Sequence, residues 1–273
     1  MTARPELISS RRNPLVRRLR DLREARGRRE QGLLLLEGTH LLQEALRLGL
    51  TPRHLLASED WMASHAGLLQ RLPAGCWPQP VTQEVLEALA TTRQPDGVVL
   101  TLVAPQAADP DPGPGLPEGL VLALDTIQDP GNLGTLMRTA LASGVEALWL
   151  ADGADPQQPK VLRASAGAAL ALAHWRGSRT ALVAHLGGLN RTGGVQVVAT
   201  QPPHSGALPY WRLDWTRPTV LLLGSEGAGL APELLALATH RVTIPHDAAV
   251  ESLNVAVAAA PLLLERLRQQ AGA

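Results

Sequence analysis

The stretch Leu120-Val-Leu-Ala-Leu124-Asp125-Thr-Ile-Gln-Asp129-Pro130-Gly131-Asn132-Leu-Gly134-Thr-Leu-Met-Arg138-Thr-Ala140 decides how the chain is read. It opens on an apolar run of strand length, Leu120 to Leu124. Asp129 is a good N-cap, and Pro130 suits the first helical position. Leu133, Met137, Ala140 and Leu141 recur at helical spacing and make one apolar face. Gly131, Gly134 and Arg138 share a second face, at i, i+3 and i+7. Glycine there costs roughly 1 kcal/mol per residue in a helix interior. Close approach of another backbone or a ligand would justify it, with Arg138 at the end of a bare groove. A capped helix packed tightly on a neighbour, with Arg138 solvated, explains the same residues.

The strand–loop–helix pattern continues on both sides. Downstream, strands are expected at Ala147–Ala151, Val195–Thr200, Val220–Leu223 and Arg241–Ile244, with helical patterns between them. Upstream, Asn13–Glu24 reads as a helix and Leu33–Leu36 as a strand. A helix at Thr39–Leu48, a strand at His54–Ala57, a helix at Val81–Ala90 and a strand at Val98–Leu102 follow. Strands alternating with helices predict an α/β fold with a mostly parallel, helix-covered sheet. The run from Pro105 to Pro117 holds five prolines and two glycines and can continue neither a helix nor a central strand. It is expected to be a semi-rigid linker at 105–117 between a domain at 1–104 and a second at 118–273.

Ligands of open α/β sheets bind beyond the carboxyl ends of the strands, so the loops there matter most. Val220–Leu223 is followed by Gly224-Ser-Glu226-Gly-Ala-Gly229-Leu230, three glycines around one carboxylate. Such a turn lets backbone groups face a ligand closely, and it also occurs as a plain structural turn. It has neither Walker A nor G-x-G-x-x-G spacing. Arg241–Ile244 is followed by Pro245, a short loop and Glu251-Ser252-Leu253-Asn254-Val255. A helix from Leu253 to Leu264 would be apolar on all sides except Asn254, and therefore buried. A buried Asn254 needs hydrogen-bond partners, either in a loop or on a ligand. Ser252 could cap this helix, and Pro261 should kink it.

Composition narrows the class. The 273 residues are 45% hydrophobic and 18% charged, as in globular proteins. The single cysteine, Cys76, allows no intrachain disulfide and fits a reducing, cytoplasmic setting. No apolar run approaches the ~20 residues of a membrane span, and Met1–Arg12 lacks the apolar core of a signal peptide. Neither a membrane nor a metal is expected as a partner. The net charge is zero, yet ten arginines stand against four acidic residues between Arg4 and Glu30. Such a patch meets phosphates, or is a solvated helix face.

Taken in order, the three loops resemble the signatures of the SpoU (TrmH-like) branch of the SPOUT RNA methyltransferases. Asn132, Gly134, Arg138 and Thr139-Ala140 look like its first motif, Leu223 to Leu230 its second, and Ile244-Pro245 with Ser252-Leu-Asn-Val255 its third. Lys160-Val-Leu-Arg163-Ala-Ser-Ala-Gly167 looks like the segment that follows the first. Ser9-Ser10-Arg-Arg-Asn13-Pro14 and Leu36-Glu37-Gly38 resemble the family's ribosomal-protein-like RNA-binding extension. The resemblance implies a C-terminal parallel-sheet SPOUT domain with a trefoil knot, plus a smaller α/β N-terminal domain. It implies S-adenosylmethionine held by Gly224, Ile244 and Leu253, with Thr200 as a neighbour. Arg138, Asn132, Glu226, Ser252 and Asn254 would form the catalytic set, and Arg11, Arg12, Arg17 and Arg18 would meet RNA. A homodimer through the C-terminal domain is also implied.

The implied activity is 2′-O-methylation of a ribose in structured RNA, with ribosomal RNA the first expectation. A transfer-RNA ribose methyltransferase is the alternative, as is a noncatalytic RNA-binding module that keeps the fold. A base methyltransferase of the wider superfamily fits the Asn132–Arg138 pattern less well. An ordinary nucleotide-binding α/β enzyme lacks its phosphate loop here.

Overall fold

The computed structural model describes residues 5–105 and 117–272. The expected linker therefore lies, except for its two end residues, outside the described residues, and so does Arg4. The chain divides into two compact units. One is built from Met1–Gln106 with Asp155–Leu170, the other from Ala107–Ala154 with Ala171–Ala273.

The first unit has a four-stranded sheet of β1 (Leu33–Glu37), β2 (His54–Ala57), β3 (Gln79–Pro80) and β4 (Val98–Val103), in the order β1-β4-β2-β3. Both neighbours of β4 run antiparallel to it, and only β2 and β3 are parallel. The expectation of a mostly parallel sheet fails in this unit. Alternating strands and helices look the same in sequence whether the last strand joins an edge or, as β4 does, enters the centre.

Asn13 caps the helix Pro14–Asp21 through Leu15 N–H at 2.8 Å, with Pro14 in the first turn. Val16 and Leu19 of this helix, with Leu22 just beyond it, pack against Leu35, Leu56 and Val99 of the sheet and Val85, Leu86 and Leu89 of the helix Gln83–Leu89. The expected helix Asn13–Glu24 ends at Asp21, and after a turn a second helix, Ala25–Gln31, follows that the sequence reading did not include. Gly27 makes the turn possible: a Cβ there would lie 2.0 Å from the Asp21 carbonyl oxygen.

The second unit is a seven-stranded sheet of β5 (Leu120–Asp125), β6 (Ala147–Ala151), β7 (His174–Gly177), β8 (Gln196–Thr200), β9 (Leu208–Pro209), β10 (Thr219–Leu223) and β11 (His240–Thr243). The order is β7-β6-β5-β10-β8-β11-β9, and every pair is parallel. Leu120 is opposite Thr219 and Leu124 opposite Leu223. Every residue of β5 and β10 is buried, as strands covered on both faces require. Trp149, Trp175, Leu182, Leu186, Val197 and Val220 belong to one core. Two strands of this sheet escaped the sequence reading, β7 and β9, as did β3 in the first unit. They are the sheet edges, where solvent permits His174, Arg176 and Pro209 and dilutes the apolar signal. Among the described residues, no helix is long and apolar enough to cross a membrane.

Candidate active site

The chain runs outward from β5 through β6 to β7, then returns to β8 on the far side of β10. Such a reversal opens a crevice at the carboxyl ends of parallel strands. A cavity of about 740 Å³ lies there. Its walls are Thr200–Pro203 after β8, Leu223–Leu230 after β10, and Ile244, His246, Asp247, Glu251, Ser252 and Leu253 among the residues after β11. Val255, Ala258 and Leu262 of the helix Val255–Ala271 also line it.

The glycine turn is closed on itself. Ser225 N–H donates to the Gly229 carbonyl at 3.0 Å, and Gly229 N–H returns to Ser225 at 3.1 Å. A Cβ on Gly224 would stand 2.0 Å from the Gly229 carbonyl carbon, so position 224 admits only glycine in this geometry. The closure presents backbone rather than side chains over much of this wall.

Three side chains from three loops form one chain of hydrogen bonds. Asn254 is the N-cap of the helix Val255–Ala271: its Oδ1 accepts from Ala256 N–H at 2.9 Å and Val257 N–H at 3.2 Å. Its Nδ2 donates to Asn132 Oδ1 at 3.0 Å. Asn132 Nδ2 donates to Glu226 Oε1 at 2.9 Å. The two ends fix the direction of both amides, because backbone N–H groups only donate and an ionised carboxylate only accepts. Asn132 is itself placed by Asp129, whose Oδ1 accepts from Asn132 N–H at 2.9 Å.

Burial pushes the Glu226 carboxyl toward protonation. Hydrogen bonds from Asn132 and from the backbone N–H groups of Glu226, Gln128 and Asp129 outweigh it and hold the group below the usual carboxylate range. Glu226, Asp247 and Glu251 line the cavity, while no lysine or arginine does among the described residues. Such walls favour a cation and disfavour a polyphosphate. Among the described residues, no group of three or more His, Cys, Asp or Glu is placed to hold a metal ion.

The expected site residues fall in three places. Thr200, Gly224, Glu226, Ile244, Ser252 and Leu253 all line the cavity. Asn132 and Asn254 join Glu226 at its edge through the hydrogen bonds above. Arg138 is outside that wall, in the helix Pro130–Ala142 that also carries Asn132. It is exposed and has no hydrogen-bond or ion-pair partner among the described residues. Gly134, on the same face, is buried, and Gly131 is half-buried.

Two expectations for the last segment are corrected. Asn254 is an exposed cap and not a buried amide one turn into a helix, so Ser252 has no capping role. The helix is also not buried all round: Val257 is 62% and Leu264 48% exposed. It runs through Pro261, whose missing N–H orphans the carbonyl of Val257, and at that exposed position water can replace the donor. The sequence reading missed His246 and Asp247 as wall residues, because an irregular loop carries no periodic signal.

Arg11, Arg12, Arg17 and Arg18 are exposed in the first unit. Arg11 also donates to the Glu84 carbonyl at 3.2 Å. Two other arginines of the patch serve the fold. Arg23 donates to the carbonyls of Ala88, Leu89 and Ala90. Arg28 is buried and paired with Asp155 at 2.5 Å. Burial first, and the charges of Arg18 and Arg53 next, lower the pKa of His54.

Comparison with known proteins identifies the family. Residues 119–264 match the SpoU rRNA Methylase family, and residues 13–100 match an MRM3-like substrate binding domain. An uncharacterized tRNA/rRNA methyltransferase of Synechocystis sp. is 46% identical over 96% of this chain and 94% of its own length. The 23S rRNA (guanosine(2553)-2′-O)-methyltransferase of Bacillus subtilis is 32% identical over 94% of this chain and 97% of its own. The crystal structure of the SpoU methyltransferase AviRb of Streptomyces viridochromogenes with AdoMet has a TM-score of 0.81. It is 28% identical and covers 96% of this chain and 100% of that one. With a substrate-binding domain ahead of a parallel-sheet methylase domain, this chain belongs to the SpoU (TrmH-like) family of SPOUT methyltransferases.

Proposed function

We propose that the protein transfers the methyl group of S-adenosylmethionine to a ribose 2′-hydroxyl of structured RNA, with ribosomal RNA as the substrate. The observation that carries this reading is the acidic, arginine-free cavity with the Asn254–Asn132–Glu226 chain at its edge. A sulfonium cofactor is cationic, and its ammonium group adds a second positive charge, so these walls suit it. The cofactor supplies an electrophilic methyl when bound. Backbone groups at Gly224, Ile244 and Leu253 would hold it, beside Thr200, whose Oγ1 is occupied with the Leu222 carbonyl at 3.2 Å. Ser252 shapes the same wall. The relative from Bacillus subtilis, named for 2′-O-methylation of a guanosine, supports ribose as the acceptor.

The remaining task is to orient the hydroxyl and stabilise charge on its oxygen. Arg138 is the cation available for this, unpaired among the described residues and exposed on the helix that carries Asn132. A guanidinium stays protonated, so Arg138 does not act as the base. It positions the RNA phosphate and stabilises the developing alkoxide through a charge-assisted hydrogen bond. A phosphate oxygen or water takes the proton. Asn132 orients the acceptor side, and Glu226 locks Asn132.

RNA phosphates are bound by Arg11, Arg12, Arg17 and Arg18, which are exposed on the first unit. The partner of the second unit is another copy of the chain. Leu141, Val257, Leu264 and Leu267 leave apolar surface exposed on the helices Pro130–Ala142 and Val255–Ala271, which supports pairing there. A knotted C-terminus is supported by the strand order, since β11 lies between β8 and β9, which the chain has already joined.

The test is to map 2′-O-methyl sites in total RNA with and without the protein, alongside cofactor binding by the Arg138→Ala variant. The expected result is one lost ribose methyl in ribosomal RNA, and an inactive variant that still binds cofactor. A lost base methyl would refute ribose as acceptor, a lost transfer-RNA methyl would refute the substrate, and an active variant would refute the role of Arg138.

A further inference from the structure

Asp125 is the last residue of β5, carries a carboxylate, and is 1% exposed. None of the cavity walls and none of the three hydrogen-bonded side chains above includes it. Its two oxygens reach different elements. Oδ1 accepts from Arg179 Nε at 2.8 Å and from Thr126 Oγ1 at 2.9 Å. Oδ2 accepts from Ala231 N–H at 3.0 Å, and Ala231 immediately follows the closed turn Gly224–Leu230. Arg179 Nη2 donates to Thr126 Oγ1 at 3.0 Å, and Arg179 N–H donates to Asp152 at 3.1 Å.

Thr126 has φ 59°, a left-handed conformation that a β-branched residue rarely adopts. That bend sends the chain from β5 toward Gln128, Asp129 and Asn132. One buried carboxylate therefore fixes both partners of the Asn132–Glu226 hydrogen bond. It holds the exit of the loop that carries Glu226, and it ties down the hydroxyl of the bent residue that leads to Asn132. Arg179 supplies the countercharge. Its pKa is raised, first by the hydrogen bond to Asp125.

We infer that Asp125, with Arg179 as its countercharge, is a positioning residue for methyl transfer, which sets the Glu226 loop against the start of the Asn132 helix. This rests on the reading that the cavity serves methyl transfer. The role differs from general support of the fold in one respect: it acts through Glu226. Losing Asp125 should then matter little once Glu226 is neutralised.

The experiment combines amide hydrogen exchange with kinetics on the full-length protein. Wild type, Asp125→Asn, Glu226→Gln and the double variant are compared with saturating S-adenosylmethionine and RNA. Asp125→Asn should speed exchange across 225–232 by about tenfold or more. It should lower kcat by about tenfold in the wild-type background and by less than about threefold in the Glu226→Gln background. Unchanged exchange in a folded Asp125→Asn protein would overturn the proposal, and so would equal losses of kcat in both backgrounds. If Asp125→Asn does not fold, the exchange test passes to Ala231→Pro, which fits the φ of −60° there and removes only the N–H that Asp125 accepts: faster exchange across 225–230 supports the anchor, and unchanged exchange refutes it. If the wild-type protein itself transfers no methyl, the functional reading fails, and exchange alone decides whether Asp125 holds the loop.

Discussion

Replacing Asn254 separates stability from chemistry, because its two side-chain atoms do different work. Oδ1 caps the helix Val255–Ala271 through Ala256 and Val257, and Nδ2 holds Asn132. Asn254→Ala removes both. Losing the cap costs about 1 kcal/mol. Losing one exposed side-chain hydrogen bond adds about 0.5 kcal/mol. The total, roughly 1.5 kcal/mol, corresponds to a fall of roughly 3–6 °C in Tm for a protein of this size. Asn254→Asp keeps the cap, and its carboxylate is favoured at a helix N-terminus. It cannot donate to Asn132, however, and sets an acceptor against Asn132 Oδ1. If Asn132 turns its amide to meet the new carboxylate, it gives up the present bond to Glu226. Thermal unfolding and transfer of labelled methyl to RNA are the two assays. Asn254→Asp should unfold within about 2 °C of wild type and yet lose activity by about tenfold or more. Full activity in Asn254→Asp would refute the view that the hydrogen-bond chain orders the site. An unchanged Tm in Asn254→Ala would refute the capping energy.

Gly224→Ala should abolish cofactor binding, measured by calorimetry, because its methyl would meet the Gly229 backbone and open the turn. Replacing Arg12, Arg17 and Arg18 together by alanine should weaken RNA binding and reduce its logarithmic salt slope by roughly 3 if each meets one phosphate. An unchanged slope would mean that the patch is only a solvated face. Removing residues 1–30 is a poorer test, since Val16, Leu19 and Leu22 are core. Glu226 has a depressed folded pKa, so its contribution to stability is complete above the ordinary carboxylate range, near ~4.3. That contribution is lost as pH falls through the lower folded value. The Tm difference between wild type and Glu226→Gln should therefore shrink on acidification through that window, and a difference independent of pH would contradict the assigned hydrogen bonds.

The sequence by itself determined the elements of the second unit's central sheet and the three loops beyond them. Fully buried parallel strands must be continuous apolar runs, so β5, β6, β8 and β10 stand out from polar surroundings. Asp129 and Pro130 mark a helix start through local chemistry alone, and the cap is found there. The edge strands β7 and β9 were not legible, because a strand with one open side tolerates polar residues and proline. Strand order was not legible either: nothing local says that β4 enters the centre of its sheet, or that β10 separates β5 from β8. Arg28 looked like its neighbours in the basic run until packing buried it against Asp155.

Asn254 shows the division most clearly. Its residue type announced a polar group that needed partners, and the sequence assigned it to a buried helix. Tertiary structure instead placed it at the helix start, where its partners are the Ala256 and Val257 N–H groups of its own helix and Asn132, 122 positions away. Local chemistry is written within a few residues of the chain. Contacts across such distances follow from the order in which strands assemble, and that order belongs to the fold.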